Sequence, residues 1–174
     1  MATTTVNAAK VAEGDKLIAE AEKCLKTNWL KWNADLDGAA HAFDKAALCF
    51  RNAKALDKSK DAYERAAEIY YRNHALFSAG KSLEQAANLC KEQGRMEDSS
   101  ECLERASAMY HESGHADTAG QVLRKAAKLV EAISPRKAAQ YYLSTAELHE
   151  TEEKYRDAAS AVRYAVSMYT RARE

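Results

Sequence analysis

A single proline, Pro135, interrupts the 174 residues. Proline breaks helices everywhere except in the first turn, so this chain meets few forced breaks. Long apolar runs are also missing. No stretch could span a bilayer, and residues 1–6 are polar and threonine-rich, without the apolar centre of a signal peptide. Charge of one sign is missing: 26 Lys and Arg balance 26 Asp and Glu, which gives no bulk attraction to nucleic acid. The four cysteines, Cys24, Cys49, Cys90 and Cys102, form no C-x-x-C pair. Each falls at an apolar or semi-apolar helical position and reads as a buried, reduced thiol of a cytosolic protein. Alternating β-branched runs, a glycine-rich phosphate loop, a nucleophile elbow and a paired-carboxylate constellation are all lacking.

What is present is alanine, lysine and glutamate, in a pattern. Tyr63, Ala66, Ala67 and Tyr70 read large–x–x–Ala–small–x–x–large. The frame returns at Phe43/Ala46/Ala47/Phe50, Leu83/Ala86/Ala87/Cys90, Leu103/Ala106/Ser107/Tyr110 and Leu123/Ala126/Ala127/Val130, twenty residues apart without a slip. The next copy, Tyr142/Thr145/Ala146/His149, comes one residue early, and Val162/Ala165/Val166/Tyr169 is the last. Spacing i, i+3, i+4, i+7 is one face of an α-helix. Alanine at its centre allows close approach of two helix axes, and the bulky ends fill the gaps where they splay. Another small residue precedes each copy by four: Ala39, Ser59, Ala79, Ser99, Ala119, Ala138 and Ala158.

Such helices bury their faces only between neighbours, which makes a solenoid. The pattern predicts an all-α fold, a right-handed superhelical solenoid of antiparallel, tetratricopeptide-like hairpins with about eight helices. Repeat helices are expected at 37–53, 57–73, 76–93, 96–113, 116–132, 135–150 and 154–172. Gly94 and Gly114 stand where left-handed helix ends are needed. Ser134-Pro135 reads as an N-cap followed by the tolerated first-turn proline, and Asp37 and Asp57 as further N-caps.

Before the repeats, residues 1–6 are expected to be disordered, and 7–27 to form a cap helix lacking the signature. Gly14 is a weak point there, at about 1 kcal/mol relative to Ala. Residues 28–36 form an apolar loop that holds both tryptophans. Two readings of it compete. Trp29 and Trp32 could plug the gap between the cap helix and the first hairpin. Alternatively, Trp29 and Leu30 form a membrane-dipping tip beside Lys26 and Lys31. After the last helix no polar cap follows, although Val162, Val166 and Tyr169 call for a neighbour, so the chain reads as a fragment of a longer protein.

His111-Glu112-Ser113-Gly114-His115 matches H-E-x-x-H, the zinc-protease pattern. That chemistry needs both histidines one turn apart on a continuous helix. Here Gly114 breaks the helix between them and no third ligand stands at a family spacing, so no metal and no cofactor is expected. His41, His74 and His149 read as surface or packing residues. Arg124, Lys125 and Lys128 form a modest basic cluster, either a solvated face or a docking patch for an acidic helical partner.

The stretch Leu25-Lys-Thr-Asn-Trp-Leu-Lys-Trp32, with Ala46-Ala47, Phe50-Arg-Asn-Ala-Lys54 and Ala75-Leu-Phe77, resembles the soluble NSF attachment proteins, the gamma form above all. The likeness runs from about residue 16 to 173. It implies an adaptor and not an enzyme. Such a protein binds a syntaxin-type SNARE four-helix bundle on a concave face and recruits the ATPase NSF for disassembly in vesicle transport. It is cytoplasmic and peripheral on the cytosolic face of membranes. The resemblance assigns Trp29, Leu30 and Trp32, flanked by Lys26 and Lys31, to a membrane-contacting loop, and Lys125, with Arg124 and Lys128 beside it, to SNARE contact. Glu101 stands where another basic contact is expected, which fits a gamma-like partner preference. The family's C-terminal helical bundle, which stimulates the ATPase, has no counterpart before Glu174. The alternative function is a generic tetratricopeptide-like interaction scaffold.

Overall fold

The computed structural model describes residues 2–26 and 34–173. Eight helices and no strand occur among them: α1 (Ala2–Leu25), α2 (Leu36–Asn52), α3 (Leu56–Arg72), α4 (Leu76–Glu92), α5 (Met96–Glu112), α6 (Ala116–Val130), α7 (Pro135–Thr151) and α8 (Tyr155–Arg171). The repeat helices lie within two residues of the expected spans. The chain divides at Leu89/Cys90 into two compact units. In the first, α2 packs on α1 and α3; in the second, α5 to α8 pack in sequence. Three-residue turns join α2 to α3 and α3 to α4, and three- and four-residue turns join α5 to α8, so neighbours there run antiparallel.

The repeat's small residues are its core. Ala46, Ala66, Ala86, Ala106 and Ala126 are fully buried, as are the upstream Ala39, Ser59, Ala79, Ala119 and Ala138. Serine in these slots keeps its hydroxyl satisfied by the neighbouring helix. Ser59 Oγ donates to the Ala47 carbonyl at 2.8 Å, and Ser107 Oγ to the Ala119 carbonyl at 2.9 Å.

One turn design recurs. The carbonyl of the copy's last residue (Phe50, Tyr70, Cys90, Tyr110 or His149) accepts the N–H five residues on, from Ala55, Ala75, Arg95, His115 or Lys154, at 2.8–2.9 Å. The residue just before that donor is left-handed: Lys54, His74, Gly94, Gly114 and Glu153 have φ of 61, 57, 76, 81 and 58°. This is the Schellman ending. Its donor residue is also the cap of the next helix, which explains turns of three residues. The one-residue slip falls where this design is abandoned. After α6, Glu131 stays right-handed and the Val130 carbonyl accepts from Ser134, one residue sooner, at 2.7 Å. Pro135 then occupies the first turn of α7, behind an extended Ser134 at φ −140°.

Three expectations need correction. Helix α1 begins at Ala2, not Asn7 after a disordered lead. Once a packed segment nucleates a helix, each further residue adds a hydrogen bond at small cost, and Thr3–Thr5 are poor formers by only tenths of a kcal/mol, about 0.7 at most. The caps are displaced: Asp35, not Asp37, caps α2 by accepting the Gly38 N–H at 2.8 Å, and Ala55 precedes α3, with Asp57 inside its first turn. Gly14 is no defect. A Cβ there would sit 2.6 Å from Cε1 of buried Phe50, so glycine is what lets α1 lie against α2.

Candidate functional site

Of the residues assigned to a membrane-contacting loop, Trp29, Leu30, Lys31 and Trp32 lie outside the described residues. Lys26 is exposed just beyond the end of α1. The chain leaves and re-enters this region at one place, since the Asp35 N–H donates to the Cys24 carbonyl at 3.0 Å. Among the described residues no helix is long and apolar enough to cross a membrane.

The basic candidates share α6 but not one environment. Lys125 and Lys128 are exposed. Arg124 is half-buried, and its Nη2 lies 3.0 Å from Nε2 of His149 on α7. His149 is only 6% exposed, so a guanidinium donor fixes its Nε2 as the unprotonated, accepting nitrogen. Arg124 therefore holds α6 to α7, while Lys125 and Lys128 are the members that face solvent. Glu101, which stands where a basic contact was expected, accepts from Lys137 Nζ at 2.8 Å, joining α5 to α7. Burial works against the Lys137 charge, but the bond to Glu101, the Glu101 charge and Tyr141 together outweigh it and raise the pKa.

His111 and His115 are separated as the glycine requires. Gly114, at φ +81°, ends α5, and His115 caps α6 with Nδ1 3.0 Å from both Ser113 O and Ser113 Oγ. The two imidazoles do not face one ion from adjacent turns. No cluster of three metal-ligating side chains occurs among the described residues. Cys90 and Cys102 are buried as expected, whereas Cys24 and Cys49 are half-buried; no disulfide joins the four.

Two polar networks were not foreseen. In the first unit, Asp44 accepts from Tyr70 Oη and Ser82 Oγ, each at 3.0 Å, and Tyr70 Oη lies 3.1 Å from His41 Nδ1. Burial raises the pKa of Asp44, against the opposing pull of those two hydrogen bonds and of His41. Burial also raises that of Tyr70, and the Asp44 charge adds to it. In the second unit, Tyr141 Oη donates to Glu104 Oε2 at 2.9 Å, and Tyr142 donates to Glu131. A signal was available: the residue after the first bulky position is acidic in four successive copies, Asp44, Glu64, Glu84 and Glu104. Nothing in the spacing says which tyrosine answers it.

Also unforeseen is a groove of about 340 Å³ between the parallel helices α5 and α7. Glu104, Ala108 and His111 line one side and Tyr141, Glu147 and Leu148 the other, with Ser107 and Leu123 also contributing.

Comparison with known proteins follows the same lines. A family model described as soluble NSF attachment protein, SNAP, matches residues 12–174. A gamma-soluble NSF attachment protein of Dictyostelium discoideum is 47% identical over 51 residues, which is 29% of this chain and 16% of that relative. Among solved structures, the de novo designed helical repeat protein DHR64 superposes with TM-score 0.56 at 21% identity, covering 96% of this chain and 97% of its own. The DHF58 filament superposes at 0.55 with 20% identity, covering 95% and 96%. These two likenesses concern the helical-repeat fold alone.

Proposed function

This chain belongs to the soluble NSF attachment protein family, and on that premise we propose that it is an adaptor that binds SNARE complexes at a membrane surface and brings the NSF ATPase to them. The observation carrying the proposal is the family match over nearly the whole chain, on a fold that offers faces and no reaction centre among the described residues. In this reading Lys125 and Lys128 supply the charge that meets a SNARE bundle, and Arg124 acts as the brace beneath them. Two exposed lysines give a modest, salt-screened attraction, suited to an adaptor that must let go.

The membrane contact falls to Trp29, Leu30 and Trp32 with Lys26 and Lys31. Its support is chemical. Indole rings favour the bilayer interface, and each lysine near an anionic leaflet contributes about 1 kcal/mol. One such loop binds weakly and reversibly, and several copies on one bundle bind together. The protein would then work as a peripheral component on the cytosolic face.

Two measurements test the proposal. Flotation with phosphatidylserine liposomes should lose most of the bound protein on Trp29→Ser/Leu30→Ser. Capture on an immobilised syntaxin-type SNARE bundle should weaken about tenfold on Lys125→Glu/Lys128→Glu. Unchanged capture by the lysine variant, with wild-type helical content, sinks the SNARE contact; unchanged flotation sinks the membrane contact.

A further inference from the structure

The groove between α5 and α7 does not use Lys125 or Lys128, and its chemistry is of opposite sign. Helix α5 carries Glu97, Asp98, Glu101, Glu104 and Glu112 against one arginine, Arg105, whereas α6 carries Arg124, Lys125 and Lys128 against Asp117. The groove follows α5. Glu104 and Glu147, both exposed, line it, and no lysine or arginine does. Beside them stand an apolar wall of Ala108, Leu123, half-buried Leu148 and the Tyr141 ring, the satisfied hydroxyls of Ser107 and Thr151, and the polar His111 and Ser144. Glu104 gives one oxygen to Tyr141 Oη, which orients the carboxylate and leaves its other lone pairs for a ligand. Toward the start of α7 the cleft continues past Lys137 and Arg136, with Lys137 committed to Glu101.

We propose that this groove is a second docking site, which takes a short basic–apolar segment of a partner protein. An arginine of the segment lies between Glu104 and Glu147, and an adjacent apolar side chain lies on Leu148 and the Tyr141 ring. A guanidinium suits the place because it can bond two carboxylates at once and keep its plane against an aromatic face. The volume of about 340 Å³ fits one or two side chains, which suits a short segment. The charge requires a cation, and the apolar wall beside it disfavours a free one. The inference stands apart from the SNARE reading, because neither of its carboxylates takes part in that contact.

The test titrates the ¹⁵N-labelled full chain with an amidated ten-residue peptide carrying two arginines and two leucines. One control peptide has glutamate for arginine and another has serine for leucine. The expected result is shifts confined to Ala108, Leu123 and Leu148 and their neighbours, with at least tenfold weaker binding on Glu104→Gln/Glu147→Gln. The carboxamide introduced at position 104 retains an acceptor for Tyr141, so this variant should fold. Ala108→Arg, at an exposed position, places a cation in the groove and should abolish binding independently. The glutamate peptide should not bind, and the serine peptide should bind markedly less well than the parent. Wild-type affinity in both variants, or shifts mapping to the exposed side of α6, overturns the site. A concentration-dependent dimer abolished by Ala108→Arg would assign the groove to a second copy, and also overturns it.

Discussion

Asp44 and Glu104 occupy the same place in the repeat, three copies apart, and both receive a tyrosine hydroxyl. Their fates differ. Asp44 is half-buried, and its two oxygens are taken by Tyr70 from α3 and Ser82 from α4. Glu104 is exposed and answers Tyr141, from a helix two further along the chain. The shorter side chain keeps its carboxylate down among the helices, where it ties three of them together. The longer one reaches the rim of a groove. One methylene, and the position of the partner tyrosine, turn an internal tie into a surface that can hold a ligand.

Removing each carboxylate breaks the comparison most directly. Asp44→Ala leaves two nearly buried hydroxyls without their acceptor and should cost about 2–4 kcal/mol. Glu104→Ala strands one such hydroxyl, that of Tyr141, which keeps Ser100 Oγ within 3.5 Å, and should cost less, about 0.5–1.5 kcal/mol. Urea midpoints of the two variants measure the gap, and equal losses would show that the exposed network matters as much as the buried one.

Glycines extend the contrast to backbone spacing. Gly14→Ala drives a methyl into the Phe50 ring and should destabilise by about 1–3 kcal/mol. Gly120→Ala meets His149 at an ordinary 3.4 Å and should stabilise by about 0.5–1 kcal/mol through helix propensity. Thermal melts of both variants check the opposite signs.

The smallest effect is that of pH. Burial raises the pKa of Asp44 above its unfolded value of about 3.9. A raised carboxylate favours the folded state when protonated. This contribution is therefore full below the unfolded pKa and is lost as pH rises through the folded one. Relative to Asp44→Asn, the wild type should gain stability on going from pH 7 to pH 4, and a relative loss would mean that the two hydroxyl donors outweigh burial.

The repeat helices were legible because their pattern is one of volume. A small residue at the closest approach of two axes leaves no alternative face, so Ala46, Ala66 and Ala106 announce themselves. Gly94 and Gly114 marked their turns for a related reason, since only a left-handed residue closes that ending. Lys54, His74 and Glu153 do the same work without glycine and were invisible, because the packed helices on both sides hold them at a cost of about 1–2 kcal/mol that no local rule foresees. Gly14 was misread because propensity counts a helix's own backbone and not the Phe50 ring against it.

Sequence by itself determined the all-α repeat, the helix spans, the place of the one-residue slip and the family resemblance. All of these follow from periodic volume and from turn chemistry within a few residues of each other. Only the tertiary structure decided which carboxylate meets which tyrosine, that Arg124 faces inward to His149 while Lys125 and Lys128 stay outside, and that α5 and α7 leave an acidic groove. Those outcomes depend on where side chains from distant copies converge, and a side chain's reach is fixed by the helix it is packed against, not by its neighbours in the chain.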